Sequence, residues 1–139
     1  MASTKSSPNK LIADLPLWIG ATIERNESFR FEALKLLEQA GTKLAEIEAK
    51  PPVDTSSVAV AALFPMHLAV KALLAAKGYR AYSTRATLEL LRILYEGDLP
   101  ESRTQTYIGV QGLRIQGTKA LEAARALIDF SKQLLSKAG

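Results

Sequence analysis

The chain has no cysteine, one histidine and one tryptophan in 139 residues. Without cysteine there is no disulfide, no thiolate metal site and no cysteine nucleophile, so a reducing, cytoplasmic setting is expected. The lone histidine, His67, has no second soft ligand to join it, and no metal is expected. No glycine-rich phosphate loop follows a strand, and Gly-Val-Gln-Gly at 109–112 is too weak to stand for one. No cofactor is therefore implied. Glu24 with Glu27, and Glu46 with Glu48, lie in stretches that read as solvated, so no catalytic carboxylate pair is expected. No stretch approaches the roughly 20 apolar residues that span a bilayer. The opening MASTKSSPNK carries charge but leads into no apolar leader core. No alternating apolar run of strand length and no internal repeat is visible.

Alanine and leucine dominate, while asparagine and glutamine are scarce. With no cysteine, that composition fits a heat-adapted intracellular protein. About half of the residues are hydrophobic and 23% are charged, ordinary proportions for one globular domain of this length. Such a chain can bury a core without staples. The net charge of +4 is unevenly spread. Seven of the fourteen acids fall between Glu24 and Asp54, and none lies between Asp54 and Glu89. That acid-free stretch holds Lys71, Lys77, Arg80 and Arg85, with Arg92 just beyond. It would attract anions unless it is merely solvated surface.

Residues 1–9, rich in Ser, Lys and Pro, read as a disordered tail, and residues 10–139 as one helical domain. A short helical piece over 10–25, interrupted by Pro16 and Gly20, should cover the core with Trp18 as its packed anchor. A first long helix is expected over 28–49, with Phe29, Ala33, Leu36, Leu37, Ala40, Leu44 and Ile47 at steps of three and four. Pro51 and Pro52 stop it. A second helix over 56–77 is apolar almost all round, so it should be central. Asp54, Thr55 or Ser56 caps it, Pro65 should kink it and Gly78 ends it. A third helix over 84–96 has Leu88, Leu91, Leu94 and Tyr95 inward, with Leu90 and Ile93 widening the apolar surface. Gly109, Gly112 and Gly117 split the remainder into helices over 101–115 and 118–136. Whether 109–117 is a kink or a loop stays open. The expected fold is all-α, an antiparallel four- to five-helix up-and-down bundle.

The one constellation with chemistry in it is KGYRAYSTR, at the turn between the second and third helices. Arginine offers phosphate a rigid fork, tyrosine offers a base a stacking face, and the helix start at Ser83–Thr84 offers free N–H groups. His67, Lys71, Arg80, Tyr82 and Arg85 are the candidate ligand-binding residues. Lys71, Arg80 and Arg85 would contact phosphate, Tyr82 would stack, and His67 would hydrogen-bond from the adjacent face. The alternatives are a glycine-capped turn with two tyrosines folded onto the core, and a His67 that is simply a buried or half-buried, hydrogen-bonded histidine.

Residues 61–97, AALFPMHLAVKALLAAKGYRAYSTRATLELLRILYEG, resemble the HEPN family of helical domains. The likeness rests on Lys71, Ala72, Leu73 and Leu74, then Gly78, the polar turn at Ser83–Thr84, and Leu90–Leu91. It extends loosely over 27–137. The resemblance implies an antiparallel helical bundle, a homodimer, and a nucleotide, RNA or nucleotidyltransferase partner. The family's ribonucleases carry an arginine followed, after four to six intervening residues, by histidine. Here the positions after Arg103 hold Ile108, Gly109 and Val110, and those after Arg114 hold Lys119, Ala120 and Leu121. The resemblance therefore implies a non-catalytic member. A sequence-indifferent RNA- or DNA-binding protein using the basic segment 71–92, or a purely structural homodimer subunit, are the rival expectations.

Overall fold

The computed structural model describes residues 7–138. Among these the protein is mostly helical. In chain order come α1 (Pro8–Ala13), α2 (Leu17–Gly20), β1 (Ile23–Arg25), a 3₁₀ segment (Glu27–Glu32), α3 (Ala33–Ala49), α4 (Thr55–Ala76), β2 (Tyr79–Ala81), α5 (Thr84–Leu94), α6 (Glu101–Gln111) and α7 (Thr118–Ala138). The expected tail falls largely outside the described residues, but Pro8 and Asn9 already belong to α1.

α4 carries one charged residue, Lys71, in its 22 positions. A helix that apolar must be covered. It packs most extensively on α3 and α7 and also meets α5, α6 and β2. Met66, Ala69, Leu73 and Ala72 are buried there against Leu44 of α3, Leu90 of α5, Val110 of α6 and Leu127 and Ile128 of α7. Its alanines let the neighbouring helices approach closely. By length and composition α4 falls in the membrane-spanning range, contrary to the sequence reading, and 61% of that window is buried inside the protein. Asp54 caps it: one carboxylate oxygen accepts from the Ser57 N–H at 3.1 Å. Pro65 lies within the helix, its ring buried.

Two expectations fail here. The first is the absence of strands. β1 and β2 pair antiparallel, with Ile23 opposite Ala81, Glu24 opposite Arg80 and Arg25 opposite Tyr79. Three residues per strand are too few for alternation to register, and the pairing joins segments more than fifty residues apart. The ladder continues at both ends, with Tyr82 N–H donating to the Thr22 carbonyl and Asn26 N–H to the Gly78 carbonyl. Gly78 makes the reversal from α4 into β2 at φ +84°, a conformation that side chains disfavour. The second is Trp18, which is 66% exposed and anchors nothing, while its neighbour Ile19 is buried. α2 is a single turn, and it places Ile19 rather than Trp18 inward.

The third helix also sits slightly rotated from its expected face. Leu91 and Tyr95 are buried as expected, but Leu90 and Ile93 are buried too while Leu88 and Leu94 are half-buried. Ser83 caps it, accepting from Ala86 N–H at 3.1 Å. Residues 112–117 form a loop, settling the open question. Ile115 folds back onto Gly109, where an added Cβ would lie 2.7 Å from its Cδ1.

Leu73→Ala should destabilise the fold by about 2–5 kcal/mol through cavity formation, and Asp54→Ala by about 1 kcal/mol through loss of the cap. Urea unfolding followed by circular dichroism measures both, and the reverse ranking would contradict this assignment of the core.

Candidate ligand cavity

Where α4 meets β2, a cavity of ≈ 380 Å³ is lined by residues that include His67, Val70, Lys71, Leu74, Arg80 and Tyr82. That volume lies at the small end of ligand sites, which run from about 300 to 1,000 Å³. Four of the five candidate residues are thus brought together. His67, Val70, Lys71 and Leu74 fall on one face because they are three or four apart on α4. Arg80 and Tyr82 arrive from β2 and the residue after it. Ala81, Thr87 of α5 and Tyr107 of α6 complete the wall. The lining contains no carboxylate.

Arg85 is not among these residues. It is exposed, with its Nε 3.7 Å from Glu89 one helical turn on. The helix start is not among them either: the Ser83 hydroxyl already takes the Ala86 N–H and bonds Thr22 Oγ1 at 2.9 Å.

Arg80 is held firmly. Its Nη2 lies 2.8 Å and 2.6 Å from the two Glu32 carboxylate oxygens, and its guanidinium sits 3.9 Å over the Phe29 ring. The Glu32 bond holds its pKa above the usual value. Its Nε is buried without a protein partner. The Tyr82 hydroxyl donates to Glu24, which raises the phenol's pKa and leaves the ring exposed at the cavity edge. Lys71 makes no ion pair or hydrogen bond among the described residues and is exposed. It is the uncommitted cation of the cavity.

Tyr107 was invisible to sequence reasoning, since nothing in the spacing of α6 ties it to a residue forty positions earlier. It is buried, and its hydroxyl meets His67 Nδ1, the two rings packing edge to face at 5.4 Å between centroids. A buried phenol O–H needs an acceptor. Nδ1 is its partner among the described residues, so Tyr107 donates and Nδ1 accepts. The imidazole proton then sits on Nε2, and neutral His67 is a hydrogen-bond donor on its outer edge. Burial of the inner edge lowers the His67 pKa, in keeping with an Nδ1 that is already accepting. The histidine is hydrogen-bonded as expected, but it is exposed rather than buried or half-buried, because its outer edge lies on the uncovered face of α4.

No protein-family model, curated protein or solved structure matches the chain.

The pH dependence follows in sign. A histidine whose folded pKa lies below the unfolded value, about 6.5, stabilises the fold above that value, and this stability is lost as pH falls below it. The loss is at most about 1.4 kcal/mol per pH unit for one group. Because His67 is the chain's single histidine, its proton resonance is unambiguous. Its NMR titration midpoint should fall below that of free histidine, and Tyr107→Phe should move it upward. A midpoint unmoved by Tyr107→Phe would reject the Tyr107-to-Nδ1 assignment.

Proposed function

We propose that the protein is a HEPN-like, non-enzymatic binding module that takes a small phosphate-bearing ligand, a nucleotide in the first instance, in the cavity between α4 and β2. The observation that carries this reading is the lining itself: a free ammonium, a guanidinium and a neutral imidazole donor around an apolar floor, with no carboxylate to repel an anion. Lys71 supplies the phosphate contact, because its charge is not spent elsewhere. Arg80 adds field and an unsatisfied Nε, its Nη2 being given to Glu32. Val70, Leu74 and Ala81 offer apolar surface, and the exposed Tyr82 ring a stacking face, to the rest of the ligand. The accompanying architecture is an antiparallel up-and-down bundle of the four or five longer helices, supported by the packing of α4 on α3, α6 and α7.

The rival is a sequence-indifferent nucleic-acid binder using the whole basic segment. It is weakened by what the cations of that segment touch. Arg80 is paired with Glu32, and Arg85 and Arg92 share Glu89. Lys77 lies over the Tyr95 ring. Three of the five cations of that run, Arg80, Arg85 and Arg92, are thus paired with two carboxylates, which interrupts an extended cationic face and favours a localised site at Lys71.

Isothermal titration with adenosine monophosphate, adenosine and inorganic phosphate tests the reading. The monophosphate should bind more tightly than adenosine. Lys71→Ala should weaken it by about tenfold or more, as loss of a charged hydrogen bond of about 1.5–3 kcal/mol requires. Arg85→Ala, outside the cavity, should change it less than about twofold, within the small range of a surface ion pair. Equal effects of the two variants, or an affinity for RNA that collapses steeply with salt, would favour the extended basic surface.

A further inference from the structure

We propose that the cleft between α5 and α6 is a second ligand site, one that takes a small primary amine with an apolar body. α5 and α6 each pack on α4 and hardly touch each other. The gap they leave holds a cavity of ≈ 590 Å³, and the linker that joins them walls one end through Gly97, Leu99 and Pro100. That volume lies well inside the range of small-molecule sites, about 300–1,000 Å³. The cleft shares no lining residue with the His67 cavity, so it does not rest on the reading proposed there.

The two walls differ in chemistry. On α5, Leu88, Leu91 and Tyr95 follow at steps of three and four, so one helical face presents an apolar wall. The Tyr95 hydroxyl adds no polarity to it, because it donates to the Leu73 carbonyl. On α6, Thr104 and Gln105 lie three and four residues after Glu101, again on one face. The side chains of these three make no ion pair or hydrogen bond among the described residues. Each offers an acceptor oxygen, and an ammonium carries three N–H donors and no acceptor. An amine laid along the cleft therefore meets acceptors on one side and hydrocarbon on the other. Charge excludes the opposite choice. The lining holds three carboxylates, Glu89, Glu96 and Glu101, against one guanidinium, Arg92. Arg92 is already bonded to Glu89 at 2.7 Å, and Arg85 reaches the same carboxylate at 3.7 Å from outside the lining. Lys77 lies over the Tyr95 ring but does not line the cleft. No uncommitted lining cation is left to hold an anion, so the cleft favours a cation although the chain as a whole carries a charge of +4.

NMR titration of the full chain at neutral pH with phenethylamine, phenethyl alcohol and hydrocinnamate reads the outcome, since the three have similar bodies and differ in the head group. The amine, protonated at neutral pH as a lysine side chain is, should bind at least about tenfold more tightly than the alcohol, the gain of one charged hydrogen bond. Hydrocinnamate should bind more weakly still, and the shifted resonances should belong to α5, α6 and their linker. Glu101→Gln should weaken the amine by about tenfold and change the alcohol less than about twofold. Gln105→Lys, at an exposed position, should abolish amine binding with an unchanged helical spectrum, because the new ammonium stands one helical turn from Glu101 and occupies its carboxylate. Equal binding of the amine and hydrocinnamate would overturn the proposal. So would no binding of any probe in the millimolar range, or amine binding indifferent to Gln105→Lys. An amine affinity that falls in Lys71→Ala would place the amine in the His67 cavity and overturn it too.

Discussion

Covering α4 is the constraint on which the rest of the fold depends. Twenty-two residues with a single charge present a large apolar surface, and its burial is favourable by about 25 cal/mol per Å². α3 and α7 take most of it. α5 and α6, each with half-buried apolar residues, close further sides. Small residues on α4, among them Ala59, Ala62, Ala69 and Ala72, are buried, which brings backbones near enough for long-range polar bonds to form. The Tyr95 hydroxyl reaching the Leu73 carbonyl is one of them.

The short β1–β2 pair has a role out of proportion to its length. It fastens the N-terminal segment to the turn after α4, and by doing so it positions Arg80 and Tyr82 over the α4 face that carries His67 and Lys71. Glu24 and Glu32 come with it from the acidic part of the sequence and pair with Tyr82 and Arg80. The fold thus brings acid to base. Arg80 is paired with an acid remote in the chain, Arg85 and Arg92 with the nearby Glu89, and Lys71 is left without an ion pair in the cavity among the described residues.

Much of the helical content was legible from periodicity. α3 and α7 show their stripes, α4 shows its uniform apolarity, and Ser83, Asp54 and Gly78 act as local stop and start signals whose chemistry depends on a few neighbouring residues. The failures have a common cause. The strands, the inward choice between Trp18 and Ile19, and the rotation of α5 all depend on what a distant segment presents. A three-residue strand has no periodicity of its own, and its hydrogen bonds exist only when its partner arrives.

The candidate site divides in the same way. Sequence alone could place His67 and Lys71 on one helical face, because four residues make about one turn, and could place Arg80 and Tyr82 just beyond the helix. It could not exclude Arg85, whose direction depends on the rotation of α5 and on the nearness of Glu89. Nor could it find Tyr107, since the bond to His67 crosses forty residues and two helices. Composition and local spacing determined that the chain would be helical, with α4 at its centre and without thiol chemistry, because those properties follow from side chains and their neighbours along the backbone. Tertiary packing decided which cations are neutralised, which nitrogen of His67 carries the proton and which face of α4 stays uncovered, because charge pairing and burial depend on distance through space.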